Sequence, residues 1–296
     1  MKNLTPIATL GRLAKHQHQT DKGNPMPRTL LLSVLNLQTT YQRVVEKLEE
    51  EKGDFDTLFL DFPAETTRYV EMIAQGAEHE EVLNDLREIG LLDEPGDVNL
   101  YKAATPLFEY LPELDPSVSL HCYREPGSWE ATRKAATKVS LLTLRSRLRR
   151  RVACEEWLRI LKDEITQQEK YVPVEARNID KASGDTNICV CGLRPELLGK
   201  HLQALGHRVE TLDLGISEKP LDLLRQLLIE TGLDEKKIDK KLVRSLIEQH
   251  LRFVDNVLLV GYEKACSAWG RTIGGEQEQT YDGKPDKPGK TTHSFG

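Results

Sequence analysis

Apolar residues in this chain fall into short runs set between amphipathic stretches. The clearest runs are Thr29-Leu-Leu-Leu-Ser-Val-Leu-Asn36, Asp56-Thr-Leu-Phe-Leu-Asp-Phe-Pro63 and Asn187-Ile-Cys-Val-Cys-Gly192. Each has the length of a strand and ends on a polar or turn residue. Parallel strands buried on both faces read this way, with useful side chains at their carboxyl ends. Weaker runs at 117–123, 207–212 and 256–260, the last closed by Gly261, are also read as strands. Between the first two runs, residues 38–52 put Val44, Val45 and Leu48 on one helical face, and Gly53 stops the pattern. A unit of this length predicts a parallel pair with a right-handed crossover.

The rest of the chain reads as mostly helical. Residues 64–110 carry breaks at Gly76, Gly90 and Pro95-Gly96 and fit an insertion over the sheet. From Trp129 to about Lys170 neither Pro nor Gly interrupts, and Ser128 is a plausible N-cap. One unbroken helix there would reach about 60 Å; a break near Arg150, giving an antiparallel pair, fits equally well. A helix over 195–205 ends at Gly206, and 217–252 form a helical layer. Residues 1–27 read as a flexible leader and 274–296 as a disordered tail. The fold expected is α/β: one domain over 28–273, with a mainly parallel sheet, flanking helices, helical insertions and a long helix or helical hairpin.

Composition narrows the function classes. The 296 residues are 39% hydrophobic and 30% charged, enough for a sizeable core. A net charge of −6 argues against nucleic-acid binding by the molecule as a whole. The local strip Arg145-Ser-Arg147-Leu-Arg149-Arg-Arg151 is either a solvated face balanced by Glu155, Glu156, Asp163 and Glu164 or a partner-binding strip. Five cysteines form neither a disulfide framework nor a CxxC pair, which fits a reducing cytoplasm. No apolar run approaches the roughly 18 residues of a membrane span. Dinucleotide and P-loop glycine patterns are missing too.

Four local matches give the chain a resemblance to the superfamily of erythromycin esterases, ChaN-like and TraB/Tiki-like proteins. Leu30 to Asn36 followed by a helix looks like its opening strand. Asp56 to Pro63 is similar to its strand ending in an acidic residue. Val174-Glu-Ala-Arg177-Asn178 resembles the helix that keeps an Arg with an acidic neighbour. Asn187 to Gly192, a helix and Leu205-Gly-His-Arg-Val-Glu210 look like its late segment. The resemblance spans roughly Arg28 to Leu214 and implies a hydrolase-like α/β protein. Departures fall where the chemistry sits. Asn36 stands where catalytic members place His, Asp61 where they place Glu, and Gly192-Leu-Arg-Pro195 replaces Gly-x-x-His, with no imidazole until His201. Losing the imidazole removes the commonest neutral base and metal ligand. The reading is therefore a catalytically degenerate relative that binds a small molecule or protein partner. The alternatives are a metal- or carboxylate-dependent hydrolase and a regulatory scaffold acting through the arginine-rich helix.

Candidate site residues follow from the carboxyl ends of the strands. Asp61, Glu125 and Glu175 are candidate acid/base or metal-binding carboxylates, which leaves a divalent ion open as cofactor. Asn36, Arg124, Arg177, Gly192 and His201 are candidate ligand-binding groups, Gly192 through a backbone N–H at a helix start. The same charged groups, with Glu65, also fit a structural ion-pair network. Asn36 as a turn cap, His121 as a sheet-face residue and Cys189 and Cys191 as buried apolar groups are the plainer readings of those positions. The site reading requires Asn36, Asp61 and Gly192 to converge.

Overall fold

A computed structural model describes residues 26–92, 95–192, 195–215 and 219–273. The tail expected at 274–296 and nearly all of the leader expected at 1–27 lie outside the described residues. Five strands form one sheet: β1 (Arg28–Ser33), β2 (Thr57–Pro63), β3 (Ser119–Arg124), β4 (Thr186–Cys191) and β5 (Arg208–Asp213). Every pairing is parallel, and the order is β3-β2-β4-β1-β5. The expected α/β class and all five of these strands are present. The sixth expected strand is not: residues 256–260 close a helix, α10 (Lys240–Val260). A five-residue apolar run carries no period long enough to separate strand from helix end.

Strand alternation sorts the core into two faces. Leu30, Leu32, Leu58, Leu60, Cys122, Ile188 and Val190 point to one side. There they meet α1 (Gln38–Glu50), α2 (Thr67–Ala74), α3 (His79–Glu88), α4 (Pro95–Ala103) and α5 (Thr105–Tyr110). Phe62, Tyr101 and Phe108 stack within this layer, with ring centroids 4.6 to 5.9 Å apart. Leu31, Phe59, Tyr123, Cys189 and Cys191 point to the other side. They pack on the late part of α7 (Cys154–Ala182) and on α8 (Pro195–Ala204). Coverage of both faces is why the inner strands carry unbroken apolar runs. The edge strand β5 is mostly exposed and carries Arg208, Glu210 and Asp213, charges that discourage further strand pairing.

A second core lies beyond the sheet. Helix α6 (Pro126–Arg149) leaves the carboxyl edge after β3 and α7 returns to it. The turn is made at Arg150, whose left-handed backbone (φ 49°, ψ 34°) caps α6. The hairpin alternative therefore holds over the single long helix. Trp157, Leu161 and Ile165 of α7 pack with Leu224 and Leu228 of α9 (Pro220–Glu230) and with Val243 and Ile247 of α10. Arg225 of α9 ties this unit to α7 by donating to both Glu164 oxygens, at 3.0 and 3.2 Å. The last helix, α11 (Tyr262–Ile273), returns to the sheet, where Ala265 and Cys266 meet Leu37. Its Glu263 accepts from the Gln38 N–H and so serves the α1 start, which has no side-chain cap of its own.

His250 of α10 lies edge-on to Trp157 and within 3.2 Å of the Thr143 hydroxyl. Burial, with help from Arg225, lowers its pKa from 6.5 to about 4. The folded state thus disfavours the protonated ring while the unfolded chain accepts it. We expect stability contributed by neutral His250 to be complete above pH 6.5 and to be lost as pH falls toward about 4. Urea unfolding of wild type and His250→Gln across this range checks it. The variant should lack this part of the acid slope, and parallel curves would refute the assignment.

Candidate functional site

At their carboxyl ends the central strands part. The β2–β4 ladder runs only from Thr57↔Asn187 to Phe59↔Cys189, and the β2–β3 register slips between Leu60 and Pro63. Such irregularities re-aim side chains at the rims of sheets. Here the Asp61 carboxylate enters the gap, and its Oδ2 accepts the Gly192 N–H at 2.9 Å. The parting coincides with a change of helix direction. β1 and β2 lead into helices on one face, whereas β3 and β4 lead into helices on the other. Crevices form at such switch points in open α/β sheets.

A cavity of 170 Å³ occupies this crevice. Asn36, Asp61, Arg124 and Gly192 line it from the sheet, and Ser128, Thr132, Gln168 and Glu175 line it from the α6–α7 hairpin. Lys219 and Tyr262 form the remaining wall, joined by a 2.9 Å hydrogen bond from the Lys219 ammonium to the Tyr262 hydroxyl. Asn36, Asp61 and Gly192 thus converge, as the site reading requires.

Arg124 is the centre of the charged cluster. Its Nε lies 3.3 Å from Asp61 Oδ1 and 3.7 Å from Glu175 Oε1. Nη2 donates to the hydroxyls of Ser128 and Thr132 at 3.3 and 3.2 Å, and the guanidinium carbon stands 5.6 Å from the Trp129 ring centre. Burial works against the Arg124 charge, but Asp61 and Glu175 outweigh it and hold the pKa above the usual guanidinium value. Burial raises the pKa of Asp61, although Arg124, the Gly192 N–H and the Tyr123 hydroxyl all pull the other way. Burial likewise raises Glu175, against the opposing pull of Arg124 and the Ser128 hydroxyl. Glu175 is 6% exposed, and its Oε1 makes no hydrogen bond within the protein. Two carboxylates thus share one cation in a place where a full negative charge is costly.

Other expected site residues lie elsewhere. Glu125 is not a cavity carboxylate: it is the N-cap of α6, and its Oε2 accepts from the N–H groups of Gly127 and Ser128 at 2.6 and 3.3 Å. Ser128, expected to be that cap, sits in the first turn instead. Arg177 is exposed on α7, because two residues from Glu175 on a helix is nearly the opposite face. His201 occupies the last turn of α8, which starts at the carboxyl edge and runs away from it. Gly192 offers no free N–H to an anion, since that group is committed to Asp61. Glu65 is exposed in a short 3-10 turn. Sequence reasoning missed Tyr123, Gln168, Lys219 and Tyr262, whose roles come from packing between distant segments. In the basic strip, Arg145 pairs with Glu156 and Arg147 with Asp255, so half-exposed carboxylates meet part of its charge.

One further grouping is chemically suggestive. Thr29 Oγ1 lies 2.9 Å from His207 Nδ1, whose Nε2 lies 3.1 Å from Asp180 Oδ1. This has the order of a hydroxyl–imidazole–carboxylate relay. Thr29 is fully buried at the amino end of β1, however, and the contacts tie β1, β5 and α7 together. As for a metal, no group of three or more His, Cys, Asp or Glu among the described residues is arranged to hold one. No helix of the described residues is long and apolar enough to cross a membrane.

No family model, curated protein or solved structure matches this chain.

Two outcomes follow from this geometry. A Cβ at residue 192 would stand 2.7 Å from Asp61 Oδ2, so Gly192→Ala must displace the carboxylate. A loss of about 1–3 kcal/mol is expected in urea unfolding, and an unchanged midpoint would refute the close packing. The raised Glu175 pKa also carries a sign. The folded state binds this proton more tightly than the unfolded chain, so its stabilising contribution is complete below the ordinary value of 4.5 and is lost as pH rises through the raised folded value. Wild type should therefore lose stability relative to Glu175→Gln as pH climbs from about 4.5. A constant difference between the two would remove the burial argument.

Proposed function

We propose that this protein binds a small polar molecule in the cavity at the carboxyl edge of its sheet, and that Asp61, Glu175 and Arg124 are the groups that recognise it. One observation carries the reading: a buried carboxylate, Glu175, presents an oxygen without a hydrogen bond to the cavity, beside a second, partly buried carboxylate, Asp61. Native interiors rarely leave such an acceptor unmatched, and a ligand donor is a direct way to match it. Asn36 and Gln168 add amide groups that can both donate and accept. The resemblance to the erythromycin esterase, ChaN-like and TraB/Tiki-like superfamily supports the same rim as the working end of the fold. Binding without turnover is favoured because no histidine is found among the described residues that line the cavity. The free cysteines, four of them buried, fit a reducing compartment, and we place the protein in the cytoplasm.

A carboxylate-dependent hydrolase is the second reading, supported by the raised pKa of both Asp61 and Glu175. A carboxyl group that keeps its proton toward neutral pH is suited to general acid catalysis.

Thermal unfolding with a chemically diverse panel of small polar molecules tests the binding reading. A true ligand at one hundred times its Kd adds about 2.7 kcal/mol to wild type. That gain should vanish in Asp61→Asn and Glu175→Gln. A gain equal in wild type and both variants, or none from any panel member, sinks the reading. Turnover of nitrophenyl esters by wild type, lost in Glu175→Gln, would instead establish the hydrolase.

A further inference from the structure

We propose that the molecule bound is an organic cation carrying more than one ammonium group, of the linear polyamine class. This deepens the ligand-site reading and rests on it.

Arg124 sits where an anion would be expected to bind, yet two of its three nitrogens are already engaged. Its Nε faces Asp61, its Nη2 is engaged by Ser128 and Thr132, and one side of its plane is near Trp129. Lys219, the other cation of the wall, is held by the Tyr262 hydroxyl at 2.9 Å and by Asp222 at 3.7 Å. The unmatched capacity lies on the acidic side. Glu175 is 6% exposed, lines the cavity and keeps Oε1 without a hydrogen bond, although Arg124 Nε stands 3.7 Å from it. An ammonium has only donors to give and carries the charge that would let this carboxylate ionise in place.

The surroundings continue the same sign. A larger cleft of 680 Å³ adjoins the cavity and shares Val34, Leu35 and Gln168 with it. Its wall carries Glu169, Glu196, Asp213, Asp222 and Glu230 against Lys200 and Arg225. Arg225 already donates from each of its three nitrogens to Glu164 or Asp222. Taken together, the two spaces set seven carboxylates against four cations. A cleft with a net excess of one sign concentrates ligands of the opposite sign. Its shape suits an elongated molecule, with one ammonium at Glu175 and Asp61 and a second among the vestibule carboxylates. The alkyl segment between them would run along Val34 and Leu35, which border both spaces.

Isothermal titration calorimetry on the full chain at low ionic strength tests this, with spermidine, putrescine, sorbitol and citrate as probes. Spermidine should saturate one site and bind more weakly as salt is raised. Glu175→Gln should weaken binding about ten-fold or more, since a charged hydrogen bond is lost. Glu196→Gln, an exposed change that leaves the core untouched, should weaken it about two- to three-fold. Glu80→Gln on α3, far from the cleft, should leave it unchanged. Spermidine binding undiminished in both Glu175→Gln and Glu196→Gln overturns the proposal. Saturation by sorbitol or citrate with no saturation by spermidine also overturns it while leaving the ligand site standing. Saturation by none of the probes overturns the cation assignment, and the separate thermal panel then decides the site itself.

Discussion

A guanidinium with a carboxylate on either side, set where little water reaches, is the interaction around which this molecule is arranged. Burying charges costs more than their attraction returns unless geometry and hydrogen bonds are both good. Arg124 approaches that condition: Asp61 at 3.3 Å and Glu175 at 3.7 Å face its Nε, and two hydroxyls accept from its Nη2. The partners come from β2, β3, α6 and α7, so the cluster fixes the hairpin against the end of the sheet. Removing the cation would leave two carboxylates confronting each other in a low-dielectric space. The sheet alone could not present this arrangement, because the open gap between β2 and β4 needs Asp61 to satisfy the Gly192 N–H.

The second core explains why the crevice is closed. Had the hairpin been only a projection, its apolar face would have stayed wet. Trp157, Leu161 and Ile165 are instead fully buried against α9 and α10. Burial of each such side chain supplies on the order of 1.5–3 kcal/mol, enough to hold the hairpin over the site. The Arg225 fork on Glu164 then fixes the register of α9 on α7. Pro173 withholds one backbone hydrogen bond in α7 next to Val172 and Glu175, at the level of the cavity. The helix thus lacks one backbone hydrogen bond where it borders the ligand space.

Much of this was legible in the chain because it depends on local patterns. Five runs gave the five strands, and the stretch without Pro or Gly after Trp129 gave the helices that form the hairpin. Asn36, Asp61, Arg124 and Gly192 were legible because the end of a buried parallel strand has one address, the carboxyl rim. What failed depended on phase or partner. Glu175 and Arg177 looked equivalent in sequence, but a turn of about 200° separates them on the helix and only one faces inward. Glu125 follows a strand end as Asp61 does, yet the helix beginning at Pro126 has first claim on its carboxylate. Lys219 and Tyr262 carried no signal at all, since their place in the wall is set by contacts spanning most of the chain.

The composition of the cavity also separates holding from turnover. A general base must accept a proton and pass it on, so it needs a pKa near the working pH and an open path to the substrate. Burial raises the pKa of Asp61, but its Oδ2 is tied to a backbone N–H and its Oδ1 to Arg124. A carboxylate so engaged is positioned firmly and moves protons poorly. Glu175 is the freer of the two, with one oxygen that stands 3.7 Å from Arg124 but accepts no hydrogen bond. The two carboxylates therefore differ in role. Asp61 holds the rim of the sheet together, and Glu175 is available to whatever enters. A site built this way recognises charge and shape at small structural cost. Chemistry at it would have to run through Glu175 alone.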